Sequence, residues 1–277
     1  MTKIDYEAEY NNRRRVPEHE AVGARWAKAS DEWRAKGDVL ADQRYGPGER
    51  NLFDLFRAKR TGSSNAPLVV YIHGGYWQRG DRKGVGFLAR ALNERGIDVA
   101  CPSYSLAPAV PVATIVDELR QCLRALYERQ KVRPVVVGHS AGGHLAAAML
   151  ATDWRQHAGV PADLVRSAYA LSGVFDPAPL IGTSLNEALR LDAATAAALD
   201  LISGRPPNAA ATMVAAVGGD ESAEFIRQSL ALTAAWSRAG VKAECVVIPN
   251  ANHFTIVDEM ARPESAVLAR VVSMANS

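Results

Sequence analysis

From Pro67 onward, short unbroken apolar runs alternate with longer stretches in which apolar positions recur every three or four residues. Leu68-Val69-Val70-Tyr71-Ile72 is the clearest of the short runs. It is β-branched and apolar throughout, as expected of a strand covered on both faces in a parallel sheet. Ile97–Cys101, Pro134–Gly138, Ala168–Leu171, Met213–Val217 and Ala243–Ile248 read as further strands. Helical stretches separate them near Val85–Arg95, Ile115–Arg129, Ala141–Leu150 and Glu224–Ala239, and a final helix is expected from Glu264. Strict alternation of this kind predicts an α/β fold with a doubly wound, mostly parallel sheet and right-handed crossovers.

Two regions break the rhythm. Ahead of it, a polar arm leads into a helix from about Val16 to Lys36, ended by Gly37-Asp38. Val39–Tyr45 and Leu52–Ala58 then alternate around the turn residues Gly46-Pro47-Gly48, an antiparallel pair expected at a sheet edge. Between Asp176 and Asn208 the alternation pauses in a Pro-, Leu- and Ala-rich stretch, read as inserted helices forming a lid. The 277 residues, close to half of them hydrophobic, suit one large core better than two small ones. A single domain over 1–277 is expected, with 1–38 as arm and helix and about 176–208 as lid.

Charge narrows the functional classes. The formal net charge is +2 and the signs are mixed along the chain, which gives no basic stripe for nucleic acid. The one basic run, Arg13-Arg14-Arg15, is flanked by acids and asparagines and reads as a solvated or salt-bridged face. No apolar stretch is long enough to span a bilayer and the start lacks a signal-peptide core, so the chain reads as soluble and cytoplasmic, with no membrane partner. Cys101, Cys122 and Cys245 are few, odd in number and far apart, and are expected as buried free thiols.

Gly138-His139-Ser140-Ala141-Gly142 carries the strongest chemical signal. It is a G-x-S-x-G match placed between an expected strand and an expected helix, the context of a nucleophile elbow. The bend is too tight for large neighbours, and it presents the hydroxyl above the carboxyl end of the sheet. This points to the α/β-hydrolase fold with Ser140 as nucleophile. His73-Gly74-Gly75-Tyr76-Trp77, directly after a buried strand, lies where an oxyanion loop belongs. The amides of Gly75, Tyr76 and Ala141 are the expected donors, and His73 is expected to brace the loop by a side-chain hydrogen bond. Of six histidines, only His253 follows a late strand in a loop, which makes it the expected base in the chain order Ser, acid, His. His139 and His144 flank the nucleophile and are expected to point elsewhere; His19 and His157 read as surface residues. Asp220 and Glu221 both follow the strand Met213–Val217, and either could accept the N–H of His253.

Together these residues resemble the kynurenine formamidase (arylformamidase) branch of the α/β-hydrolases and its esterase relatives. The segment His73-Gly74-Gly75-Tyr76-Trp77-Gln78 looks like that family's signature, with tyrosine where many lipase-like relatives have a third glycine. The block from Glu221 to Ser229 is similar to a family block beginning Asp-Ser-Pro-Glu-Phe. Aligned without gaps, Glu221 takes the place of the family's catalytic aspartate, which favours it over Asp220. His253-Phe254 matches the family histidine and the phenylalanine after it, and Ser172-Gly173-Val174-Phe175-Asp176 is also familial in pattern.

The resemblance implies acyl transfer to water by Ser140, His253 and Glu221, with an N-formyl aryl amine such as N-formylkynurenine as substrate and formate as product. A carboxylesterase of short acyl esters is the alternative on the same machinery. A binding protein of this fold that has lost catalysis is a third possibility, disfavoured because all three candidate residues are present. Tyr76, Trp77, Phe175 and Phe254 are candidates to line the substrate pocket, although core packing competes for at least half of them. The expected partner is a small-molecule substrate; no cofactor and no metal is implied, and a homodimer is left open as an assembly.

Overall fold

The computed structural model describes residues 4–59 and 65–277. Eight strands form one sheet: β1 (Asp38–Arg44), β2 (Leu52–Arg57), β3 (Leu68–Ile72), β4 (Asp98–Pro102), β5 (Pro134–His139), β6 (Ser167–Leu171), β7 (Thr212–Gly218) and β8 (Lys242–Ile248). Their spatial order is β1-β2-β4-β3-β5-β6-β7-β8. β2 runs antiparallel to both β1 and β4, and the remaining pairings are parallel. The helices are α1 (Tyr6–Tyr10), α2 (Asn12–Arg15), α3 (His19–Lys36), α4 (Leu88–Asn93), α5 (Val112–Gln130), α6 (Ala141–Ala151), α7 (Asn186–Leu189), α8 (Ala193–Leu199), α9 (Ala223–Arg238) and α10 (Ala266–Ala275).

The two faces of the sheet explain the unbroken apolar runs. Side chains alternate across a strand, and in β3 Leu68, Val70 and Ile72 enter one core with α5, α6 and α9. Val69 and Tyr71 enter the other, with α4 and α10 and with Trp26 and Trp33 of α3 packed against it. Every residue of β3, β4 and β5 is buried. The edge strands β1 and β8 contain only half-buried and exposed residues, because each has a single neighbouring strand.

The chain leaves β3 for β4 on one side of it and later places β5 on the other. Such a reversal opens a crevice at the carboxyl ends of the two strands, where ligands of open α/β sheets bind. His73 to Trp77 follow β3 and Ser140 follows β5, so both candidate motifs face that crevice.

Some boundaries differ from the sequence pattern. The helix expected from Val16 begins at His19, and the polar arm before it is itself folded into α1 and α2, capped by the side chains of Asp5 and Asn11. The expected helix at Val85–Arg95 splits into a 3-10 turn at Arg82–Val85 and α4, with Gly84 and Gly86 weakening any continuous helix. Cys101 and Cys122 are buried, whereas Cys245 on edge strand β8 is only half-buried.

The segment between β6 and β7 carries a 3-10 turn (Ala178–Gly182), α7 and α8. It is docked, with Leu180, Leu189, Leu191 and Leu199 buried in the core. His144 Nε2 donates to Leu199 O at 2.9 Å and Trp236 Nε1 to Leu201 O at 2.9 Å. Among the described residues, no helix is long and apolar enough to cross a membrane.

Candidate active site

β5 ends at His139 and α6 begins at Ala141, leaving Ser140 alone in the bend with φ 56° and ψ −119°. A side-chain-bearing residue held there stores about 1–3 kcal/mol of strain. The surroundings enforce it: Ser140 N donates to Leu171 O at 2.8 Å. A Cβ on Gly138 would lie 1.9 Å from Gly142 O, and one on Gly142 would lie 2.1 Å from Ile72 O. The two glycines of the motif are therefore demanded by backbone contact.

After β3, Gly75, Tyr76 and Trp77 take positive φ in succession (118°, 50° and 56°). This turns the chain back over the crevice and leaves the Gly75 and Tyr76 N–H groups without an acceptor among the described residues, as is the N–H of Ala141. Ala141 opens α6, so the positive end of the helix dipole lies at Ser140. His73 Nδ1 donates to Gly74 O at 2.9 Å and its ring stacks on Tyr104 at 4.3 Å, while Tyr104 OH donates to His73 O. Burial pulls the His73 imidazole down to about 4, so it is neutral at pH 7 and serves this loop as a hydrogen-bond donor.

The acid and the histidine arrive from β7 and β8. His253 Nδ1 donates to Glu221 Oε2 at 2.7 Å, and both residues are buried. The other carboxylate oxygen, Oε1, accepts from Ser172 Oγ and from Gly218 N. Three donors on two oxygens leave this carboxylate little freedom to turn. Asp220 is exposed, and its backbone N–H is spent on Ala251 O. Of the two carboxylates left open by position, Glu221 is the one that meets the histidine. With Nδ1 committed to the carboxylate, Nε2 of His253 is left as the acceptor, the tautomer a general base requires.

Ser140 and His253 line the same cavity, of about 110 Å³, together with Gly75, Tyr76, His139 and Phe254. No hydrogen bond joins Ser140 Oγ to His253 in this structure. His139 departs from its expected orientation. It lines the cavity, and its Nε2 donates to His253 O at 2.7 Å, because the bend at Ser140 turns the preceding side chain towards the loop that follows β8. Burial and the adjacent His253 ring hold His139 well below its ordinary range.

Two expected pocket residues are core residues instead. Trp77 and Phe175 are 1% and 0% exposed and do not reach the cavity. Trp77 packs edge-on against His144 at 5.3 Å, and Phe175 lies beneath Gly173, where a Cβ would meet its ring at 2.4 Å. Large rings beside the crevice found more area to bury inward than towards the opening. His19 is half-buried, with its ring 5.7 Å from that of Phe254.

Sequence reasoning missed the remaining lining: Asn11, Asn12 and Arg13 from the arm, Arg79 from the turn after Trp77, and Leu185 from the segment before α7. It also missed the bond from Ser172 to Glu221, although Ser172 opened a segment already noted for its familial pattern. The basic run Arg13-Arg14-Arg15 is exposed, as its composition predicts, but the arm that carries it is anchored from below. Tyr10 is fully buried and its OH donates to Glu224 Oε2 at 3.0 Å, Asn12 Nδ2 donates to Tyr76 OH at 3.0 Å, and Tyr76 OH in turn donates to Tyr10 O.

Comparison with known proteins agrees with this architecture. A family model described as the α/β-hydrolase fold matches residues 69–202. The chain is 32% identical to a kynurenine formamidase from Salmo salar over 82% of its own length and 79% of the relative's. It is 30% identical to one from Danio rerio over 94% and 92% respectively. A crystal structure of a candidate thioesterase from Silicibacter sp. superposes with a TM-score of 0.87 at 30% identity, covering 98% of this chain and all of that one. A Pyrobaculum calidifontis esterase, at 20% identity and a TM-score of 0.71, shares the fold. With this fold and these relatives along most of its length, the chain belongs to the kynurenine formamidase-related family of α/β-hydrolases and is a hydrolytic enzyme.

Proposed function

We propose that this hydrolase cleaves an N-formyl aryl amine, such as N-formylkynurenine, to formate and the free amine through an acyl-enzyme on Ser140. The observation that carries the reading is the buried Glu221–His253 pair opening onto the same small cavity as a serine held in a strained bend. His253 Nε2 takes the Ser140 proton as Oγ attacks the formyl carbon. The Gly75, Tyr76 and Ala141 amides receive the developing oxyanion, and one such donor contributes about 2.7–4 kcal/mol to barrier lowering. His253 then gives its proton to the departing amine nitrogen as the C–N bond breaks. A water molecule, giving one proton to the same imidazole, attacks the formyl ester, and the imidazolium returns that proton to Ser140 Oγ as the C–O bond to serine breaks and formate leaves.

The formyl group is favoured by the relatives that match along most of the chain and are named kynurenine formamidases. Turnover of N-formylkynurenine, followed by release of the aryl amine, tests the reading. It requires activity in the wild type and its loss in Ser140→Ala; an active Ser140→Ala enzyme would refute the acyl-enzyme.

A short-chain esterase is the second reading. It is favoured by the candidate thioesterase of the same fold at 30% identity. The ratio of kcat/KM for N-formylkynurenine to that for p-nitrophenyl acetate decides between the two. A purified enzyme that hydrolyses the ester and leaves the formamide intact removes the first reading.

A further inference from the structure

We propose that Arg13 and Arg79 form an anion-binding rim that selects substrates carrying a carboxylate remote from the scissile bond. The inference rests on the hydrolytic reading of Ser140 and adds to it the residues that recognise the substrate's carboxylate. Both guanidinium-bearing residues line the cavity that holds Ser140 and His253, and they come from unrelated parts of the chain.

Neither side chain has an ion pair or a hydrogen bond among the described residues. Arginines elsewhere meet carboxylates, as in Arg25–Asp258, Arg34–Asp54 and Arg227–Glu224. The carboxylate nearest the catalytic group, Glu221, faces away behind His253, with all its bonds made. Two like charges thus converge on one opening without a counter-ion. Burial and the neighbouring Arg13 both depress the Arg79 guanidinium from its ordinary value, the signature of a cation whose environment lacks an anion.

Their placement is built. A Cβ on Gly75 would lie 2.8 Å from Arg79 Cγ, so the Arg79 stem lies directly on the oxyanion loop. Arg13 is carried on α2, which the Asn12–Tyr76 bond and the buried Tyr10 fix over the cavity. Guanidinium is a planar fork suited to carboxylate, and a hydrogen bond to an ionised group contributes about tenfold or more in affinity. A substrate with an amino-acid or benzoate carboxylate would bridge the two cations while its acyl group reaches Ser140.

The test compares matched pairs that differ in charge alone. They are 4-formamidobenzoate against 4-formamidobenzamide, and 4-acetoxybenzoate against 4-acetoxybenzamide, with the wild type, Arg13→Gln, Arg79→Gln, Arg79→Lys and the double Gln variant. The expected wild-type preference for the anion in kcat/KM is about tenfold or more. It should shrink in each Gln variant, approach one in the double variant, recover in part in Arg79→Lys, and weaken as salt is raised. Equal rates for both members of a pair in the wild type, or an unchanged ratio in the double variant, would overturn the proposal. If the ester pair shows the preference while neither formamide is cleaved, the formamidase reading fails and the rim stands. Calorimetric binding of the same formamides to Ser140→Ala gives the charge preference without turnover.

Discussion

The bend at Ser140 and the arm from Tyr6 to Arg15 bound the same cavity by opposite means. The bend is held by backbone: a single residue at positive φ, glycines where a Cβ would lie about 2 Å from a carbonyl oxygen, and a main-chain bond to β6. The arm is held by side chains reaching across the chain, from Tyr10 to Glu224 and from Asn12 to Tyr76. The first arrangement tolerates almost no change and has a local sequence signature. The second depends on a few individual side-chain bonds and leaves little trace in the sequence near it. On the proposed function, a backbone-held reaction centre lies under a rim held by side chains, an arrangement in which one chemistry can serve different substrates.

Substitution should separate the two regions most sharply at the centre. Ser140→Ala should lower kcat on the order of 10⁶-fold with little effect on folding, measured by steady-state turnover beside circular dichroism. Glu221→Gln should cost on the order of 10⁴ in kcat, whereas Asp220→Asn, on an exposed side chain, should leave kcat near wild type. Equal losses in these two variants would reverse the assignment of the acid. Gly142→Ala should act on folding itself, lowering stability by about 3 kcal/mol or more in urea unfolding, because its methyl would strike the main chain of β3.

The arm should respond more gently. Asn12→Ala removes one bond to Tyr76 and should cost about 1 kcal/mol of stability, with KM changed more than kcat. An Asn12→Ala enzyme whose kcat falls a thousandfold would place the arm in the reaction centre and dissolve the contrast.

A pH experiment probes the frame under both regions. Burial holds His73 and His144 at about 4, below the ordinary 6.5. Between those two values the unfolded chain binds more protons than the folded one, so their contribution is complete above 6.5 and drains away as pH falls towards 4. Unfolding free energies from urea titrations at pH 7.5 and pH 5 should differ by on the order of 4 kcal/mol, with the higher pH more stable.

Much of this molecule was legible because its main elements are locally encoded. The six parallel strands, the elbow and the loop after β3 each depend on runs of four to seven neighbouring residues, and apolar periodicity or glycine spacing records them. The pairing of Glu221 with His253 required an alignment block as well as chain order, since Asp220 and Glu221 are adjacent and chemically alike. Trp77 and Phe175 misled because an aromatic ring next to a crevice can turn either way, and burial decides which. Arg13, Arg79 and Leu185 were out of reach for another reason: their position follows from where α2 and the segment before α7 dock, and no local pattern encodes docking.

The hydrogen bond from His139 to the carbonyl of His253 has a consequence for assembly. It ties the turn after β5 to the loop after β8, more than a hundred residues apart in the chain. On the proposed mechanism, a nascent polypeptide that has shaped the bend at Ser140 would still lack its acid and base until β7 and β8 are synthesised and laid against the sheet.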